Sequence, residues 1–284
     1  MTAKTLSAAI TGYDATIIEV ETDIKAGLPT IQIVGLGSKA VDEARERVRS
    51  AIRNSSLDFP TKKIVVNLAP AELPKDGSYL DLPIALSVLV ASGQLHPQEL
   101  KGALFAGELA LDGSLRPIRG AIAVAEAART AGMTHLYIPS ANAPQASLVN
   151  GITVIGVDSL KNLFLHLKAI QTISHTHTMP AALHTQPHYS LDDVVGQEQA
   201  KRAIHLACAG RHNVLLRGVP GTGKTMLAKT IPSLLPPLAN EEIIATTKLH
   251  SLHANSGDIV AVRPTIPQAI YHLSAAGVSQ FLAR

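Results

Sequence analysis

One octapeptide constrains this chain more than any other part. Gly218-Val219-Pro220-Gly221-Thr222-Gly223-Lys224-Thr225 satisfies the pattern G-x-x-x-x-G-K-[ST] at every fixed position. The flanks are those such a loop requires. "HNVLLRG" reads as a short buried strand running into the loop, and "KTMLAKTIPSLL" reads as a helix leaving it. Glycines permit backbone angles and close approaches that a side chain would block. Successive N–H groups can then point inward as a nest for phosphate oxygens, with the helix N-terminus behind them. Lys224 can reach the outer phosphates as a point charge, and the Thr225 hydroxyl is placed to hold Mg²⁺. The loop therefore predicts nucleotide binding within an α/β fold.

Hydrolysis needs more than the loop. Such enzymes use a further acid, usually at the end of a buried strand, to help hold Mg²⁺ and polarise the attacking water. Only 59 residues follow Thr225, and they contain three acids. Glu241 and Glu242 follow "PPLAN" and open a predicted helix, where they serve its N-terminal dipole. Asp258 follows the turn "NSG", with its apolar run after it. None ends a hydrophobic strand, so no catalytic residue is identifiable. The expectation is binding without the usual equipment for turnover.

Upstream, strands and helices alternate. "TIIEVETDI", "TIQIVG", "ALFAGELAL", "HLYIP" and "TVIGV" read as strands, and "KIVVNLAP" as a buried strand. "SKAVDEARERVRSAIRN" has Val41, Ala44, Val48 and Ile52 on one face, with Ser38 as cap and Asp42 and Glu43 at the dipole. "DLPIALSVLVASG" is a helix with Pro83 in its first turn, "DGSL" a turn, and "AIAVAEAARTAG" a helix closed by Gly132. This is an α/β domain over residues 1–171. Residues 172–189 are rich in Thr, His and Pro and carry no Asp, Glu, Lys or Arg, which reads as a linker. His175, His177, His184 and His188 lie there with no Cys or carboxylate beside them, so a polar linker is preferred to a metal site. Residues 190–284 hold the loop. Asp192 or Asp193 caps a helix with Ala200, Ala203, Ile204, Ala207 and Cys208 on one side and Lys201, Arg202 and His205 on the other. Cys208 reads as a buried packing residue.

Composition narrows the class. A single cysteine excludes an internal disulfide framework. The N-terminus lacks a signal-peptide stretch, and "IALSVLVA" is too short to span a bilayer, so a soluble cytoplasmic protein with no membrane contact is expected. The absence of Trp and scarcity of Phe and Tyr leave little for base stacking. Residues 1–171 contain 16 basic and 16 acidic residues, which cancel, and the surplus of three lies in residues 190–284.

These residues carry a family resemblance. "VVGQEQAKRAIHLACAGRHNVLLRGVPGTGKTMLAKTIPSLLP" strongly resembles the start of the AAA+ module in magnesium-chelatase-like ATPases, the YifB/ComM family. "GLPTIQIVGL", "KIVVNLAPAELPKDGSYLDLPIAL" and "GELALDGSLRPIRG" match that family's N-terminal domain. The likeness runs from about residue 5 to about residue 264. It implies an N-terminal Lon-protease-like α/β domain of the ribosomal protein S5 domain 2 type, followed by an incomplete P-loop AAA+ module. It implies ATP with Mg²⁺, assembly into a hexameric ring, and DNA as a partner, through branch migration in natural transformation. Val195 and Gly196 would lie near the adenine. The family's module continues well beyond this length, and "TIPQAIYHLSAAGVSQFLAR" does not resemble what should follow, so the resemblance implies a module cut short. Lon uses a Ser–Lys pair. Here Tyr79 stands at the serine position, Ser78 is one residue early, and Ile122 stands at the lysine position. The domain is expected to be proteolytically inactive.

Overall fold

The computed structural model describes residues 3–35, 39–73, 75, 77–175, 189–236, 238–252 and 259. It also gives the backbone of 272–273 and 279–283, and at 39–42 the backbone alone. The chain divides into two compact units, residues 1–180 with 244–259, and residues 181–243 with 260–284.

In the first unit, β1 (Ala3–Thr11) and β2 (Asp14–Lys25) form an antiparallel hairpin. Gly12, at φ 63°, takes the first corner of its two-residue turn. β3 (Thr30–Val34) is an edge strand, and α1 (Lys39–Asn54) follows it. β4 (Lys63–Ala69) completes a sheet of order β1-β2-β4-β3, antiparallel except for the β3–β4 pair. Ile64, Val66 and Leu68 of β4 are buried while the alternate residues are not. This corrects the expectation of a buried strand: an antiparallel sheet covers one face only. α2 (Asp81–Ala91) is apolar on all sides and buried from Asp81 to Val90. It packs on β1, β2 and α1. Ala44, Val48 and Ile52 form the buried stripe of α1, as expected; Ser38 lies outside the described residues, as do the side chains of Val41 and Asp42.

"ALFAGELAL" is not one strand. β5 (Ala103–Phe105) stops before Ala106, and β6 (Glu108–Leu109) pairs with β7 (Leu115–Arg116) in a hairpin. The break has a cause. The Gly107 N–H donates to the Tyr79 carbonyl, and the Gly107 carbonyl accepts from Leu82 N–H. The chain between the strands is thus bonded to the start of α2. α3 (Ala121–Thr130) is closed by Gly132 at φ 73°. β5, β8 (His135–Pro139) and β9 (Thr153–Val157) form a parallel three-stranded sheet. The short α4 (Ala143–Ala146) and α5 (Leu160–Leu167), capped by the Ser159 hydroxyl, complete this part.

The second unit begins with a turn over Leu191–Asp193. Ser190, not either aspartate, caps it: its Oγ accepts from Asp192 N–H, and Asp193 reaches back to Ser190 N–H. α6 (Glu198–Gly210) starts at Gln197 in the left-handed region, with no side-chain cap. Ile204, Ala207 and Cys208 face inward, whereas Ala203 is exposed. β10 (Val214–Gly218) leads to α7 (Lys224–Leu234). Leu191, Val194, Ile204, Cys208 and Leu227 form the core, with Leu216, Met226 and Ile231 against it. α8 (Asn240–Ser251) follows, and its residues from Ile244 onward belong to the first unit. β11 (His272–Leu273) and β12 (Ser279–Ala283) form a sheet of order β10-β12-β11, with β12 antiparallel to β10.

Candidate functional site, the phosphate-binding loop

The loop joins β10 to α7 as the sequence requires. Its glycines differ in their reasons. Gly221 and Gly223 have φ of 83° and 78°, and a Cβ at either would meet nothing within 4 Å. They are needed for backbone conformation, not for space. At Gly218 a Cβ would lie 3.3 Å from Thr222 Oγ1, so there close approach is the reason. β10 is half-buried, with Leu215 54% exposed; the fully buried strand expected from "HNVLLRG" is not found. β10 pairs on one side only among the described residues.

Gly223 is also the residue before α7 and supplies no side-chain cap. The first N–H groups of a helix have no intrahelical acceptor, and here they follow a nest of glycines. That is a donor set for an anion. The Lys224 ammonium lies over the loop, donating to the Val219 carbonyl at 2.6 Å and to Thr222 Oγ1 at 3.2 Å. Thr222 Oγ1 donates to the same carbonyl at 3.0 Å. The lysine is thus held above the loop rather than pointing into solvent. Val219, Pro220, Gly221, Thr222 and Gly223 are exposed, and Lys224 and Thr225 are half-buried. Thr225 sits in the first turn of α7, directly after Lys224.

Val195 is 94% exposed and Gly196 has φ 70°. Val194 is buried in the same core cluster as Leu227 of α7, so the Val195–Gly196 turn is anchored beside the loop's own helix. Cys208 is buried, and burial pushes its thiol pKa up. It is a packing residue.

Glu241 and Glu242 fall in the first turn of α8, as expected. Glu242 accepts from the Ala239 N–H at 3.0 Å, tying down the start of α8. Asp258 lies outside the described residues, as do His177, His184 and His188. Among the described residues no cluster of three His, Cys, Asp or Glu could hold a metal ion. No helix there is long and apolar enough to cross a membrane.

In the first unit, Ser78 Oγ donates to Glu108, the Tyr79 hydroxyl accepts from the Ile10 N–H at 3.4 Å, and Ile122 is wholly buried. Lys75 is buried and donates to the Pro70 carbonyl. Burial lowers its pKa.

The model of subunit ChlI of Mg-chelatase matches residues 20–142, and that of magnesium chelatase, subunit ChlI, matches residues 190–278. YifB of Escherichia coli is 44% identical over 244 residues, covering 86% of this chain and 48% of YifB. The competence protein ComM of Haemophilus influenzae is 41% identical over 253 residues, covering 88% of this chain and 50% of ComM. An archaeal Lon protease from Archaeoglobus fulgidus is 45% identical over 58 residues, 20% of this chain and 9% of its own. The chain spans about half the length of the YifB and ComM relatives it matches. Family matches over residues 20–142 and 190–278, and likeness to YifB and ComM over 86–88% of the chain, place it in the magnesium-chelatase-like family of YifB and ComM.

Proposed function

We propose that the chain binds ATP with Mg²⁺ in the loop Gly218–Thr225. The observation that carries this is the strand–loop–helix geometry, with left-handed Gly221 and Gly223 opening an uncapped helix. The residues fit the ligand. Backbone N–H groups of Val219 and of Gly221 to Thr225 would take phosphate oxygens; Pro220 has none to offer. Lys224 would exchange the Val219 carbonyl for the outer phosphates, and Thr225 would hold Mg²⁺. The Val195–Gly196 turn would border the adenine. Bound Mg²⁺ would neutralise phosphate charge; the chain's own part is to bind and orient the nucleotide.

The likeness to YifB and ComM supports a wider reading. Residues 1–171 would be a Lon-like domain without peptidase activity, joined through residues 172–189 to an AAA+ module in residues 190–284. The assembly would be a homo-oligomeric ring, by resemblance a hexamer, acting on DNA. A second reading, a non-catalytic assembly module, is favoured by Glu242, whose carboxylate closes its own helix start. Binding and turnover separate these readings. Millimolar ATP·Mg²⁺ is expected to raise the melting temperature by mass action, and steady phosphate release is expected to be absent. No thermal shift would sink the binding reading. Turnover lost in Lys224→Ala would sink the non-catalytic one.

A further inference from the structure

The charge balance of residues 1–171 conceals a segregated surface. Arg45, Arg49 and Arg53 follow one another at i, i+4 and i+8 along α1, rising about 6 Å per step. They line a cleft of about 530 Å³, together with Thr30, Ile31 and Phe59. Glu46 is the one acid in the lining. Lys62 and Lys63, both exposed, continue the basic run directly after Thr61, which also lines the cleft.

Like charges at i, i+4 destabilise a helix, so the array works against the fold unless something occupies it. The structure supports Arg49 and Arg53 without neutralising them. The guanidinium carbons of Arg49 and Arg53 lie 5.9 and 5.8 Å from the Phe59 ring centroid. An aromatic face holds a cation by its quadrupole and leaves the N–H edges available. Neither arginine forms an ion pair with a carboxylate among the described residues. The Arg49 Nε is shielded from solvent and has no hydrogen-bond partner, so this side chain is not fully satisfied by the protein. The charges form a line, not a ring around one point, and that suits a chain of anions better than a single small one. Phe59 is engaged with the arginines, so no platform for reading bases is offered.

We propose that this cleft binds the phosphate backbone of a single nucleic-acid strand, without sequence preference. The choice of strand rests on the reading that the assembly acts on DNA, and gives that contact a place apart from the phosphate loop.

The test is fluorescence anisotropy of the full chain with a labelled oligodeoxythymidine of about 20 nucleotides, at several salt concentrations and without ATP. Wild type and Lys224→Ala are expected to bind alike, with affinity falling steeply with salt. Arg49→Ala/Arg53→Ala is expected to bind roughly tenfold more weakly or worse. Arg53→Glu/Lys62→Glu, which alters only exposed side chains, is expected to do the same with an unchanged melting temperature. Arg49→Lys/Arg53→Lys is expected to recover part of the binding. Equal binding by the two charge-removing variants would overturn the proposal, as would no binding by wild type. Displacement of the strand by inorganic phosphate at equal phosphate concentration would assign the cleft to a free anion and overturn it too. A failure of ATP to bind would leave this result untouched.

Discussion

At the scale of single residues, two charged groups of the first unit define sharp expectations. The Asp81 carboxylate is wholly buried, receives Arg47 Nε at 2.7 Å and Nη2 at 3.1 Å, and accepts from Leu109 N–H at 3.2 Å. Burial still outweighs these partners and pushes its pKa up from 3.8 to about 6. The folded chain then holds this proton more tightly than the unfolded chain. The contribution to stability is greatest below about pH 4, falls as pH rises to about 6, and is flat above. Denaturant titrations across that range should show wild type losing on the order of 3 kcal/mol relative to Asp81→Asn. A constant difference would refute the assignment. Arg47→Ala leaves the carboxylate buried without its partner and should cost about 3 kcal/mol at neutral pH. Lys248 is the second group. Its ammonium donates to Asp14 Oδ1 at 2.8 Å and Glu126 Oε2 at 2.6 Å, and lies 4.1 Å from the Tyr13 ring centroid. Burial opposes its charge, but the two carboxylates prevail and raise its pKa. Lys248→Met should loosen the end of α8, read as faster protease cleavage near residue 250. An unchanged cleavage rate would show that the clamp is dispensable.

At the scale of elements, what is local was legible and what is tertiary was not. The loop could be read from eight residues because its glycines, its lysine and its helix start are consecutive. α1 and α2 could be read because their apolar spacing or density lies within a single segment. The break in "ALFAGELAL" could not, since it is set by Tyr79 and Leu82, some 25 residues upstream, bonding to Gly107. Nor could the cap of the second unit's first turn, where three neighbouring residues with suitable side chains compete and Ser190 takes the role. Gly35 belongs to this scale. At φ 107° its Cβ would stand 2.3 Å from the Leu68 carbonyl oxygen, so β3 can end beside β4 only without a side chain there. Gly35→Ala should cost about 2 kcal/mol or more by denaturant titration. Leu86→Ala in α2, wholly buried, should cost about 3 kcal/mol. Costs below about 0.5 kcal/mol for either would mean the packing described is not what holds these elements.

At the scale of the whole molecule, the sequence indicated the family and the order of its two parts. It did not indicate the basic cleft. Counting charges along residues 1–171 gives balance, whereas α1 gathers three arginines on one line, with Glu46 the one acid lining the cleft beside them. Such segregation arises from helix periodicity and from the Phe59 loop folding back, neither of which a running sum detects. In the proposed reading, function is likewise divided: residues 190–284 would take the nucleotide and α1 of the first unit the polyanion. The nucleotide loop is the central claim, and equilibrium binding of labelled ATP with Mg²⁺ to wild type and Lys224→Ala tests it most directly. Wild type should bind saturably and Lys224→Ala at least about tenfold more weakly, a loss of about 1.4 kcal/mol. Equal affinity of the two proteins would contradict it.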